Sequence, residues 1–177
     1  MAKLTKEEEV LLSSLSPTSS AKSNIYFFLN AFIISLAPIY LFYGFYQMEV
    51  EDSWILWVIS SLSTAYLLSL ATKNQKHLLK HQILTKRGPA VDREINAKYA
   101  DKKISIKERE ERALFRKNEV ADSESTYLSV FYTNSLFLVL FLITAFFVFA
   151  NLTPVFNLLI STSGTAALVA FLSTAKN

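Results

Sequence analysis

The chain has 177 residues, 51% of them hydrophobic, with 14 phenylalanines against 3 glycines, no cysteine and a formal net charge of +3. Such a bias is foreign to soluble domains of this size, and the distribution of charge accounts for it: Ser23–Met48, Ser53–Thr72 and Ser125–Ala175 contain no Asp, Glu, Lys or Arg. Soluble core helices would each need a polar face, so these runs exclude a soluble fold.

Residues 1–24 come first. In "LTKEEEVLLSSLSP", Thr5 to Glu8 reads as a capping box, and Leu4, Leu11, Leu12 and Leu15 form an apolar face that Pro17 stops. Two readings stay open for it: a short helix resting on a bilayer surface, and disorder. The next element is a membrane span, because crossing the hydrocarbon takes roughly 20 apolar residues at about 1.5 Å each. We place it at residues 25–46. The acidic run Lys6-Glu7-Glu8-Glu9 before it and its length argue against a cleaved signal, so this span is expected to remain. Pro38 is expected to bend it, and Tyr26, Tyr43 and Tyr46 sit near its ends, where amphipathic rings favour the interface. Residues 47–52 form a short loop, and residues 53–72 a second span. Trp54 and Trp57 anchor that span, and Ser61, Ala65 and Ser69 line one side of it with small residues.

Residues 73–126 carry most of the charge. Lys73, Lys76, Lys80 and Arg87 fall at i, i+3, i+7 and i+14, one basic stripe continuing out of the second span. Gly88-Pro89 is expected to interrupt this helix. A shorter turn of helix then carries Val91, Ile95 and Tyr99 on its apolar face, with Glu94 placed to pair with Lys98. Ser105 to Glu108 predicts the N-terminus of a further helix through a capping box. Beyond it Ile106, Ala113 and Val120 form an apolar seam at seven-residue spacing, while Arg109, Arg112 and Arg116 share a different face. The expectation is an antiparallel helical hairpin with its apolar seams inside and its cations outward.

The last uncharged run is long enough for two spans. Its break belongs at "NLTPVFN", where Pro154 biases Thr153 away from helix and two asparagines supply turn chemistry. This gives spans at residues 127–150 and 155–175, a turn at 151–154 and a tail at 176–177. Thr162, Ala166, Ala170 and Thr174 recur every four residues and mark a helix-packing seam. Asn151-Leu152-Thr153 matches the glycosylation acceptor pattern, but its place against the membrane and the following Pro154 argue against use.

Four spans put both termini and the central segment on one side, and all 18 Lys and Arg fall there. The opposite loops hold only Glu49, Glu51 and Asp52. By the positive-inside rule the termini and central segment are cytosolic. The predicted fold class is therefore an all-α membrane protein, with four transmembrane helices and a cytosolic helical hairpin between the second and third spans.

The spans hold no Asp, Glu, Lys, Arg or His, so they offer no acid pair or proton relay for a transporter or intramembrane enzyme. His77 and His81 lie one turn apart, but with no cysteine and no third histidine they predict no metal site. No nucleophile with a base and no glycine-rich phosphate loop is present. We expect no catalytic residue and no cofactor. Three readings compete for the cations of the central segment: a solvated face, a site for anionic lipid headgroups, and a site for RNA phosphates. Arginine on the Arg109 face favours phosphate, which the guanidinium fork grips with two hydrogen bonds.

The stretches "SAKSNIYFFLNAFIISLAPI", "KNQKHLLKH", "ISIKEREERALFRKNEVADSE", "SVFYTNSLFL" and "LVAFLSTAK", in this order along the chain, resemble the gamma subunit of the translocon-associated protein complex, also called the signal sequence receptor. "RKNEVAD" followed closely by "SVFYTNSLFL" is the most specific part. The resemblance implies a four-span subunit of the endoplasmic reticulum membrane, partnered by three single-span subunits and placed beside the protein-conducting channel. It also implies cytosolic helices that touch ribosomal RNA and a ribosomal protein of the large subunit. Nothing is carried over to the N-terminal segment, which departs from the family pattern. On this reading the docking residues are Arg109, Arg112, Arg116 and Lys117, then Lys102, Lys103 and Lys107, with Lys73, Lys76, Lys80 and Arg87 as a secondary stripe. The alternative is a membrane-shaping scaffold whose hairpin grips anionic lipid.

Overall fold

The uncharged runs become helices, and two of these continue far past them. The computed structural model describes residues 21–99 and 106–174. Helix α1 is Ala21–Phe45, α2 is Val50–Lys98, α3 is Ile106–Ile143, continued by a π-helical segment Thr144–Val148, and α4 is Pro154–Thr174. No strand occurs among the described residues. Each of the four helical stretches contains a window long and apolar enough to cross a membrane. The 49 residues of α2 and 38 of α3 exceed the roughly 20 that a span requires; each joins a span to a charged extension. The chain is an all-α, multi-pass membrane protein.

Local chemistry sets the helix ends. After Phe45 the Tyr46 N–H still donates to Phe42 O at 3.1 Å, and Gln47 then takes φ 51°. That left-handed conformation costs a non-glycine residue on the order of 1 kcal/mol and turns the chain toward α2. Glu51 and Asp52 in the first turn of α2 complement the partial positive charge of a helix N-terminus. Between α3 and α4 the break falls where the asparagines and Pro154 predict it. Phe149 N–H closes the π-helical segment on Thr144 O at 2.8 Å, Leu152 N–H bonds Phe149 O at 3.0 Å, and Pro154 opens α4 at the position where a missing N–H costs nothing.

The chain divides into two compact units: Ala21–Gln75 with residues 129–174, and residues 76–99 with 106–128. The first is built as lipid demands. Ile33, Tyr40, Phe131, Phe147 and Phe171 point outward, 67% to 81% exposed, while Ala31, Ser35, Ala65, Thr133, Ser161 and Ala166 are buried. Water would penalise that arrangement at about 25 cal/mol per Å² of apolar surface. In hydrocarbon it is favourable, since small residues let helices approach and polar ones bond across. Asn30 and Asn134 exchange hydrogen bonds at 3.3 and 3.4 Å between α1 and α3, and the Ser60 and Thr162 hydroxyls meet at 2.7 Å between α2 and α4. Tyr46 Oη donates to Ala145 O at 3.0 Å, and Asn157 Nδ2 donates both to that carbonyl at 2.9 Å and to Tyr46 Oη at 3.1 Å. The carbonyl they share lies inside the π-helical segment, so Tyr46, just past the end of α1, and Asn157 of α4 together hold the chain where its hydrogen-bond ladder widens.

In the second unit α2 passes through Gly88-Pro89 without a break, contrary to the interruption expected there. Proline in a helix interior costs about 3 kcal/mol, so the continuation needs a compensating source. Buried Ile83, Val91 and Ile95 flank the dipeptide. Pro89 itself faces solvent, where water can serve the Thr85 carbonyl. Gly88 is buried, and the Cε of Lys117 lies 3.8 Å from where a Cβ would stand. The seam of α3 also differs from its expected line. Ile106 is 76% exposed and Ala113 and Val120 are half-buried, while Asn118, Ala121 and Ser125 point inward. The contact face of α3 is made of small and polar residues, which an apolar pattern passes over. The capping box at Ser105, the capping box at Thr5 and Lys176 lie outside the described residues.

A candidate polyanion-docking unit

Within the unit of residues 76–128, contacts run in opposite directions along the two helices. Lys76 and Lys80 both reach Asp122 Oδ1, at 3.1 and 3.4 Å. Arg87 meets Glu124 at 3.4 Å, and Lys117 meets Asp92 at 2.8 Å. At the far end Arg109 Nη2 donates to Tyr99 O at 3.2 Å, and Arg112 Nη1 donates to Tyr99 Oη at 3.1 Å. Apart from Arg87–Glu124, residue numbers rise on α2 as they fall on α3, so the pair is antiparallel.

The structure gives the sequence-selected cations distinct surroundings. Arg109 reaches back to a carbonyl just beyond the end of α2. Arg112 binds Glu108 at 2.7 Å and lies over the Tyr99 ring, 5.2 Å from its centroid. Arg116 binds Glu119 at 2.8 Å. The hydrogen bonds that Arg112 donates to Tyr99 and then to Glu108 raise its pKa, and the one that Arg116 donates to Glu119 raises that of Arg116, so both stay charged throughout the accessible pH range. Such exposed pairs are weak and screened by salt, and a phosphate can displace the carboxylate. Lys117 is different: its side chain is 11% exposed and its stem crosses Gly88 to reach Asp92. Lys107 is exposed. Lys102 and Lys103 lie outside the described residues.

The secondary stripe does not form one open face. Lys76 and Lys80 are each 18% exposed and share Asp122; Arg87 is open, and Lys73, half-buried, belongs to the other unit. His77 and His81 are exposed, and no group of three or more metal-ligating side chains occurs among the described residues. On α4, Thr162 and Ala166 are buried, Ala170 is half-buried and Thr174 is exposed. A four-residue step turns the helix about 400°, so the stripe drifts roughly 40° per step and burial passes to Val169 and Ser173. Ser61, Ala65 and Ser69 are all buried.

Sequence reasoning passed over Lys86, Arg93 and Lys98, which are exposed and make no ion pair among the described residues. The signal for Lys86 and Arg93 is their seven-residue spacing, legible only once α2 is read through Gly88-Pro89.

A family model described as "Translocon-associated protein, gamma subunit (TRAP-gamma)" matches residues 7–175. A curated relative from Dictyostelium discoideum, "Translocon-associated protein subunit gamma", is 30% identical over 157 residues, covering 89% of this chain and 89% of its own.

Proposed function

Because the chain belongs to the family of translocon-associated protein gamma subunits, we propose that it is a non-enzymatic subunit of such a complex in the endoplasmic reticulum membrane, anchoring it to the translating ribosome beside the protein-conducting channel. Its role is to support co-translational translocation. The termini and the unit of residues 76–128 face the cytosol, and the span unit holds the three partner subunits. One observation carries the reading: every Lys and Arg falls in segments that a four-span topology places together, leaving only carboxylates opposite. A polyanion on that side meets a basic surface, and the resemblance supplies its identity, ribosomal RNA with a neighbouring ribosomal protein.

Docking of this kind is electrostatic and gains from avidity. A weak phosphate-binding surface, added to the channel's own ribosome contact, acts at high effective concentration and does not require tight binding alone. Arg112 and Arg116 are the docking residues whose carboxylate partners are easily displaced; Arg109 and Lys117 support the surface by closing the helix pair. Lys102, Lys103 and Lys107 complete the set. The test is co-sedimentation of the detergent-solubilised complex with ribosomes across a salt series. Arg112→Glu with Arg116→Glu should release the complex at lower salt than wild type; retention at the wild-type salt concentration would refute the docking role. Lys73, which directly follows an uncharged run, favours a second reading at that position alone, contact with anionic headgroups.

A further inference from the structure

Asn30 and Asn134 exchange hydrogen bonds between α1 and α3, yet each stays only half-buried. A primary amide has two N–H hydrogens and two carbonyl lone pairs. The exchange uses one of each, so both residues keep a donor and an acceptor to spare. Asn30 lies seven residues into the charge-free run that starts at Ser23, and Asn134 nine into the one that starts at Ser125, roughly 10 and 14 Å along the helix axis. At that depth acyl chains offer no hydrogen bond and water does not stand in for one. Ser135, the next residue on α3, is also half-buried and makes no hydrogen bond among the described residues. Other span hydroxyls fold back onto a carbonyl of their own helix, as Ser63 and Thr144 do at 3.0 Å; that of Ser135 does not.

Helical angles give the direction in which these groups open. On α1, Tyr26 and Ile33 lie about 40° and 60° to one side of Asn30 and are exposed, while Phe27 and Ala31 lie about 60° and 100° to the other side and are buried. On α3, exposed Phe131 and half-buried Ser135 lie about 60° and 100° to one side of Asn134, and buried Phe137 and Thr133 the same angles to the other. Asn30 meets Asn134 and Tyr46 meets Ala145, so the two helices run the same way, and their exposed sides, reached by opposite rotations, open on one side of the contact. The amide pair is therefore the floor of an outward groove, rimmed by Tyr26 and Ile33 on α1 and by Phe131 on α3. We infer that this groove seats one transmembrane helix of another chain, through a hydroxyl or amide side chain that meets Asn30, Asn134 and Ser135. The inference rests on the reading in which the span unit holds partner subunits, and gives one of them its place. A second copy of this chain is the wrong shape. Paired copies in one membrane would meet through the same patch on each, setting groove against groove, whereas a single helix brings the ridge that a groove accepts.

The test uses the complete complex in native membranes, with a photoreactive benzophenone amino acid in place of Phe131. Light should join this position to another polypeptide. Dilution of the unlabelled complex in mixed micelles then measures how tightly that polypeptide is held. Ser135→Ala, which leaves the Asn30–Asn134 pair intact, should raise its apparent dissociation constant about threefold, the worth of one hydrogen bond between helices. Asn30→Leu with Asn134→Leu should raise it further. Ser163→Ala on α4, which also removes a half-buried hydroxyl without a hydrogen bond among the described residues, should leave it unchanged. Adducts with lipid alone, adducts with a second copy of this chain, or equal effects of the two serine variants would overturn the inference. A wild-type chain that purifies with no other membrane polypeptide would remove the platform reading, and the inference with it.

Discussion

Arg112 holds Tyr99 twice, donating from Nη1 to the phenol oxygen at 3.1 Å and lying 5.2 Å above the ring centroid. Arg109 takes the backbone oxygen of the same tyrosine at 3.2 Å. One residue at the end of α2 thus collects two arginines from the first turns of α3, and the helix pair is closed at that end. Amide exchange should report the closure. Tyr99→Ala should speed exchange over the last turn of α2 and the first turn of α3, and Tyr99→Phe, which keeps the ring beneath the guanidinium, should fall between it and wild type. Equal exchange in all three would show that Tyr99 does not fasten the helices.

Between pH 7 and 9 this fastening should not change. The pKa of Arg112 is raised by Tyr99 and Glu108 and that of Arg116 by Glu119. A raised value for a cation means that its contribution is complete below the unfolded value and is lost only as pH climbs through the folded one, far above this window. Salt should act where pH does not, since exposed pairs are screened. Exchange rates corrected for intrinsic pH dependence should superimpose at pH 7 and 9 and rise with added salt.

Among the span contacts, the group around Ala145 O should matter most. Asn157 is fully buried and gives hydrogen bonds to that carbonyl and to Tyr46 Oη. Bonds of this kind are worth about 0.6 kcal/mol each inside membrane proteins, up to about 1.7. Asn157→Leu should therefore lower stability by about 1–2 kcal/mol in reversible unfolding from mixed micelles. Tyr46→Phe should cost a similar amount, and the double variant less than their sum, because both act on one network. Strict additivity would contradict the shared-carbonyl arrangement.

Packing in the same unit leaves little room at Ala65 and Ala166, both with no exposed surface. Leucine at either position should cost about 1–3 kcal/mol by overpacking. Ala167, one residue along α4 and exposed, should accept leucine at almost no cost. A similar loss at Ala166 and Ala167 in the same unfolding assay would show that the small-residue face does not set helix approach.

The four spans could be read from the sequence because lipid imposes a coarse rule: an uncharged run either reaches across or does not. The break at Pro154 was legible for the same reason, since one missing N–H and a pair of asparagines act locally. Gly88-Pro89 misled because its local penalty is real, yet burial of Ile83, Val91 and Ile95 outweighs it, and burial is a property of two helices together. The inward face of α3 was hidden in the same way. Asn118, Ala121 and Ser125 carry no hydrophobic signal, and their burial follows from which side of α3 meets α2. Among the cations, a helical wheel finds those sharing a face but not those already holding a carboxylate. Arg112 and Lys86 therefore look alike in the sequence and differ in the structure.

The central claim is that the unit of residues 76–128 lies on the cytosolic side, open to a ribosome. The natural chain has no cysteine, so single cysteines report without background. Arg93→Cys and Asn151→Cys are each expressed in sealed microsomes and treated with a membrane-impermeant maleimide. The account predicts that position 93 is labelled in intact vesicles and shielded when ribosomes are bound, while position 151 is labelled only after the membrane is opened. Labelling of 151 in intact vesicles, with 93 protected until permeabilisation, would contradict it.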